Sequence, residues 1–138
     1  MPKIDSPCFC LNIRRAALAV TEVYDRKMAL LSITANQYSI LRHMDFLAPC
    51  STSALAEAMG LDRTTLSRNL KPLIERGLLS DLADTQKRNH RYRLSATGKK
   101  LLNRAQPLWE KSQAQLEKIV GETSMPALMR ILRRLQEL

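Results

Sequence analysis

Residues 51–79 read STSALAEAMGLDRTTLSRNLKPLIERGLL, a stretch punctuated by residues that start and stop helices. Ser51 offers a hydroxyl to the free amides of a first turn. Gly60, about two and a half turns later, suits the left-handed position that ends a helix. Asp62 then caps a second helix, in which Leu66, Leu70, Leu73 and Ile74 recur at three- and four-residue spacing and predict one inward face. The opposite face carries Arg63, Thr64, Ser67, Arg68 and Lys71, with Asn69 beside them. Arg can bond a guanine edge bidentately, and Ser, Thr and Lys can bond bases or phosphates, so this face has the chemistry of a DNA-reading helix. For a lone helix the rival reading is an ordinary solvated face.

The residues that follow favour the first reading. Gly77, after Arg76, reads as a helix stop, and residues 78–83 and 90–95 predict two strands joined by residues 84–89. In the second run Tyr92 and Leu94 fall on one face and Arg91 and Arg93 on the other. Between Asp84 and Lys100 there are six Lys or Arg against one acid, in a chain whose net charge is already +9. With Lys87 and Arg88 near the tip and Arg91 on the edge, this hairpin has the electrostatic footprint of nucleic-acid binding. A charge run serving only solubility would mix signs. The expected fold is mainly α with a small β-hairpin wing, a winged helix-turn-helix.

Four pieces in this order and spacing resemble the MarR family of bacterial transcriptional regulators: Leu55 to Glu57, Leu61 to Arg68, Leu73 to Leu78 and Leu94 to Gly98. The resemblance covers nearly the whole chain. It implies a homodimer whose N- and C-terminal helices interlace and which presents two reading heads to a pseudo-palindromic operator in double-stranded DNA. It further implies a repressor, released when a small-molecule effector or an oxidant shifts the spacing of the heads. The wing departs from the pattern in one respect. The family usually has an aspartate two residues before its groove-reaching arginine, and Gln86 and Arg88 occupy those positions here.

At 138 residues the chain can form one modest core, and its 45% hydrophobic content with 4% aromatic lies largely in helices outside the reading unit. We expect a single domain over 1–138, with 34–96 as the DNA-binding lobe and 1–33 and 97–138 as dimerisation helices. The first helix runs roughly from Cys8 to Leu31 and carries Ile13, Ala16, Ala17, Val20, Val23 and Tyr24 at helical spacing. The second, from about Thr34 to Leu47, presents Tyr38, Leu41, Met44 and Phe46. A long helix from about Ser95 to Val120 contains Pro107, which removes one hydrogen bond and predicts a kink. In the last helix Pro126 sits where a first-turn proline is tolerated. Leu128, Ile131, Leu132 and Leu135 there form a seam opposite Arg130, Arg133 and Arg134, expected to pack on a second chain; folding back on its own core is the alternative.

Three cysteines remain, an odd count that speaks against a disulfide framework. If Ser6 caps the first helix and Pro7 opens it, Cys8 and Cys10 lie in the first turn, with Arg14 one turn below Cys10. The helix dipole then favours a thiolate at Cys10. Packing, redox sensing and metal binding stay open for these thiols. Residues two apart on a helix point about 200° apart, which disfavours a shared metal or a Cys8 to Cys10 disulfide. The spacing of Cys10, Tyr24 and Thr34 also resembles the organic-hydroperoxide-sensing branch of the MarR family. Arg14 and Ala35 stand where that branch has tyrosines.

His43 and His90 lack a hydrolase arrangement, and no phosphate loop, paired-acid motif or metal-ligand set stands out, so neither enzyme nor cofactor is expected. The apolar run from Cys8 to Ile13 is too short for an export signal or a membrane span, which predicts a cytoplasmic protein. The rival from another class is a winged-helix module for protein association or for nucleic-acid binding without sequence preference. Thr64, Ser67 and Asn69 among the cations favour base reading over it.

Overall fold

A computed structural model describes residues 3–82 and 90–138. Helix α1 (Phe9–Met28) continues into one 3-10 turn (Ala29–Leu31), followed by α2 (Ala35–Leu47), β1 (Cys50–Ser51), α3 (Thr52–Met59) and α4 (Arg63–Glu75). Strands β2 (Leu79–Asp81) and β3 (Arg91–Leu94) precede the long α5 (Ala96–Val120) and a terminal α6 (Met125–Leu135). The fold is mainly helical with a small antiparallel sheet, as expected for a winged helix-turn-helix.

Local chemistry sets most helix starts. Thr34 accepts from the Gln37 amide at 3.1 Å while the Gln37 side chain accepts from the Thr34 amide, a reciprocal cap. The Ser51 hydroxyl accepts from the Ala54 amide and the Ser95 hydroxyl from the Gly98 amide. Gly60 ends α3 at φ 64°. The start of α1 differs from the sequence expectation. Cys8 occupies the N-cap position and the helix begins at Phe9, so Cys8 lies before the first turn and Cys10 within it. The reason is an arm that folds back along the helix. Ser6 accepts from the Cys8 amide, the Asn12 side chain donates to the Ser6 carbonyl, and Arg15 donates to the Ile4 carbonyl.

The sheet order is β1-β3-β2, with β3 antiparallel to both neighbours. Leu79 faces Leu94, Ser80 faces Arg93 and Asp81 faces Tyr92 across one side; Cys50 faces Tyr92 across the other. Strand β1 was not expected, because two residues carry no alternation to read. It exists through its partner strand.

The core joins Met28, Ile33, the inner face of α2, Leu55, Leu66, Leu70, Leu73, Tyr92 and Leu94 to Leu101, Leu102 and Ala105 of α5. Two expected core residues are exposed. Phe46 follows Met44 by two positions, about 200° around the helix, and points outward at 88% exposure. Ile74 lies eleven positions after Arg63, about 20° from a whole number of turns, and so joins the outward arc at 41% exposure. Pro107 sits inside α5 without ending it.

Burial stops abruptly at both ends. Among the described residues none before Met28 and none after Ser112 is buried. Most of α1 and all of α6 therefore keep their apolar side chains at least partly exposed, although α1 packs along α5. Phe9, Leu18 and Ile131 are 63%, 73% and 51% exposed.

Candidate nucleic-acid interface

Helix α4 owes its start to Asp62, whose carboxylate accepts from the Thr65 amide at 2.8 Å and from the Thr65 hydroxyl at 2.6 Å. These bonds favour the charged form and hold the Asp62 carboxyl below its ordinary range. Leu66, Leu70 and Leu73 fix the inner face against the core. That leaves Arg63, Thr64, Ser67, Arg68 and Lys71 exposed together on the outer arc. No hydrogen bond or ion pair engages these five side chains among the described residues. The only acid of α4 is Glu75, at its far end. Asn69 does not join them, since its side-chain amide donates to the Thr65 carbonyl at 2.9 Å and is half-buried.

Beside α4, strand β3 turns Tyr92 and Leu94 inward and Arg91 and Arg93 outward. The Arg91 guanidinium donates to the Pro49 carbonyl at 3.2 Å, which steadies it at the sheet edge. Lys87 and Arg88 lie outside the described residues. At the base of the wing His90 meets the Asp81 carboxylate at 2.5 Å, and its ring stacks on Tyr92 with centroids 6.1 Å apart. Sequence reasoning missed this cross-strand pair. The contact depends on strand register, which neither residue signals alone.

A second feature lies between α1, α2 and α5. A cleft of about 290 Å³ is lined by Val20, Thr21, Tyr24, Ala35, Asn36, Tyr38, Ser39 and Trp109. A smaller hollow of about 170 Å³ shares three of these residues and adds Arg42 and His43. Tyr38 stacks on Trp109 at 6.4 Å, and the Gln106 side chain accepts from both the Tyr38 hydroxyl and Arg42. Burial is the main cause that raises the pKa of Tyr24 and of Tyr38, so both phenols stay neutral hydrogen-bonding groups at physiological pH.

The three thiols divide by exposure. Cys8 and Cys10 are exposed, whereas Cys50 is buried with its sulfur 3.4 Å from that of Met44. Burial pushes the Cys50 thiol up. Cys10 and Tyr24 are fourteen residues apart on one helix, about 21 Å along its axis, so they do not meet within a chain.

A short helix, a turn, an outward cationic helix and a three-stranded basic flap define a winged helix-turn-helix DNA-binding protein. The MarR family model matches residues 31–88. The transcriptional regulator MosR of M. tuberculosis, solved in complex with DNA, is 34% identical, with 94% of each chain covered and a TM-score of 0.83. The repressor CouR bound to a 23-mer DNA duplex shares the fold at 23% identity and a TM-score of 0.84, covering 97% of this chain and 99% of that one. So does Bordetella bronchiseptica BpsR, whose DNA binding is regulated by 6-hydroxynicotinic acid, at 20% identity and a TM-score of 0.86, covering 100% and 99%. The chain belongs to the MarR family of transcriptional regulators. No described helix is long and apolar enough to cross a membrane.

Proposed function

We propose that the protein is a homodimeric repressor that reads a pseudo-palindromic operator. The outer arc of α4 enters the major groove, with Arg63, Thr64, Ser67, Arg68 and Lys71 contacting bases and phosphates. The wing contacts the flanking groove and backbone through Lys87, Arg88 and Arg91. The observation that carries this reading is the α4 arc itself. A solvated helix face pairs its cations with acids one turn away, whereas here, among the described residues, no hydrogen bond or ion pair holds these cations and hydroxyls, and Arg68 feels the Asp62 carboxylate only at longer range. The partly exposed apolar side chains of α1 and α6 support the second copy, and in particular the seam of Leu128, Ile131, Leu132 and Leu135. We divide the chain into a 34–96 reading lobe and the pairing helices of 1–33 and 97–138; the exposed apolar residues near both ends support this, while Met28, Ile33, Leu101, Leu102 and Ala105 anchor those helices in the core of the lobe. This role needs no catalysis and belongs in the cytoplasm, where bacterial DNA lies.

Release is assigned to the cleft between α1, α2 and α5. It holds stacked aromatics and neutral phenols next to Arg42, which fits a small planar molecule bearing an acid group. Because α1 belongs to the pairing helices and α2 to the reading lobe, an occupant there bears on the angle between them. Oxidation at Cys8 or Cys10 is a second route, favoured by their exposure at the start of a pairing helix.

The deciding experiment is selection of duplexes from a randomised pool by the purified protein, followed by competition with unrelated DNA. A two-fold related motif that resists the competitor is the expected result. Equal competition by unrelated duplex would leave only a sequence-indifferent winged-helix module.

A further inference from the structure

Arg76 closes the recognition helix α4, yet its guanidinium leaves the reading lobe. It donates to the Ser32 carbonyl at 2.7 Å and to the Leu31 carbonyl at 3.3 Å, across 44 and 45 residues of sequence. Both acceptors sit where α1 ends and the chain swings into α2. Ser32 holds a left-handed conformation there, at φ 56°. Carbonyls at a helix end lack amide partners in the helix, and a cation placed at them also meets the negative end of the helix dipole. The planar two-pronged guanidinium matches two consecutive carbonyls in a way a single ammonium does not.

Among the described residues, the hydrogen bonds that join residues 3–33 to residues 50–82 and 90–94 both come from Arg76. The pairing helix and the recognition helix otherwise communicate through the shared apolar core and the packing of α2 and α5. We infer that Arg76 is a positioning residue that sets the angle between the recognition helix and the dimer axis, and hence the spacing of half-sites that the dimer accepts. This rests on the reading of the protein as a two-headed DNA binder. Arg76 need touch no base to act in this way. Inserting one base pair between half-sites rotates them by about 34° and separates them by about 3.4 Å, a displacement that a fixed angle rejects and a loosened one follows.

The test uses a duplex selected from a randomised pool by the wild-type protein, together with versions carrying one base pair more or one fewer between the half-sites. Wild type should bind the altered spacers roughly tenfold or more weakly, a penalty of the size of one mismatched base pair. For Arg76→Gln the penalty should shrink to within about threefold while the base preference inside each half-site is kept. Arg76→Lys, which reaches one carbonyl at a time, should fall between them. A uniform loss on all three duplexes, or a spacer penalty equal to that of wild type, overturns the role of Arg76 and leaves two-headed reading intact. Indifference of the wild-type protein to spacer length overturns both.

Discussion

Arg68 and Ser67 are exposed on the outer arc of α4, and among the described residues no hydrogen bond or ion pair engages their side chains, which suits them to the base contacts proposed above. Arg68→Ala should relax the preference at one position of each half-site by about 1 to 3 kcal/mol, the worth of a lost bidentate contact, and leave the other positions unchanged. Selection profiles for wild type and variant compare this directly; an identical profile places Arg68 on phosphate or solvent instead. Asp62 makes a pH-dependent contribution. Because bonds from Thr65 depress its folded pKa, the stability it adds is present above the ordinary carboxylate range and is lost as pH falls through the folded value. Asp62→Ala should therefore melt below wild type at neutral pH, with the gap closing in strong acid. A gap that does not change with pH removes the cap from the account.

At Gly98, helix α5 passes close against the backbone of Leu78, just before β2. A Cβ at position 98 would lie 2.1 Å from the Leu78 carbonyl oxygen and 3.0 Å from its carbon, and that oxygen also accepts the Ser95 amide at 2.9 Å. Ser95 adds a bond from its hydroxyl to the Gly77 carbonyl at 2.6 Å. The Leu-Ser-Ala-Thr-Gly run thus docks the start of α5 onto the strand entry, and neither backbone can yield cheaply. Gly98→Ala should cost about 1 to 3 kcal/mol, as overpacking of a tight contact does. Denaturant melts measure it, and an unchanged midpoint would mean that α5 lifts away from Leu78 without penalty.

Dimer formation joins the reading heads to the partly exposed terminal helices. Leu132 and Leu135 lie in the α6 seam, on a helix none of whose residues is buried within the chain. A glutamate at either position would be buried unpaired on association, at about 3 to 5 kcal/mol each, and a two-fold axis imposes it twice. Leu132→Glu should sediment as a monomer at concentrations where wild type is a dimer and should lose operator affinity with it. A variant that stays dimeric moves the seam elsewhere. A wild type that is monomeric yet binds its operator tightly removes the two-headed reading altogether.

Caps and periodicity act within a few residues, which is why Ser51, Asp62 and Thr34 marked their helices and why the alternation at Tyr92 and Leu94 marked the wing. The outward arc of α4 followed from the same spacing, apart from Ile74, whose apolar character suggested an inner place that the helical angle denies it. Only the tertiary structure decided the contacts made across long separations. Strand β1 exists because β3 lies beside it, His90 finds Asp81 through strand register, and Gly98 is needed because Leu78 passes within touching distance. Arg76 bonds the end of a helix more than forty residues earlier in the chain. A residue's own neighbours in sequence determine its backbone and its face, whereas its partner in space depends on how separate elements pack, and no local pattern encodes that.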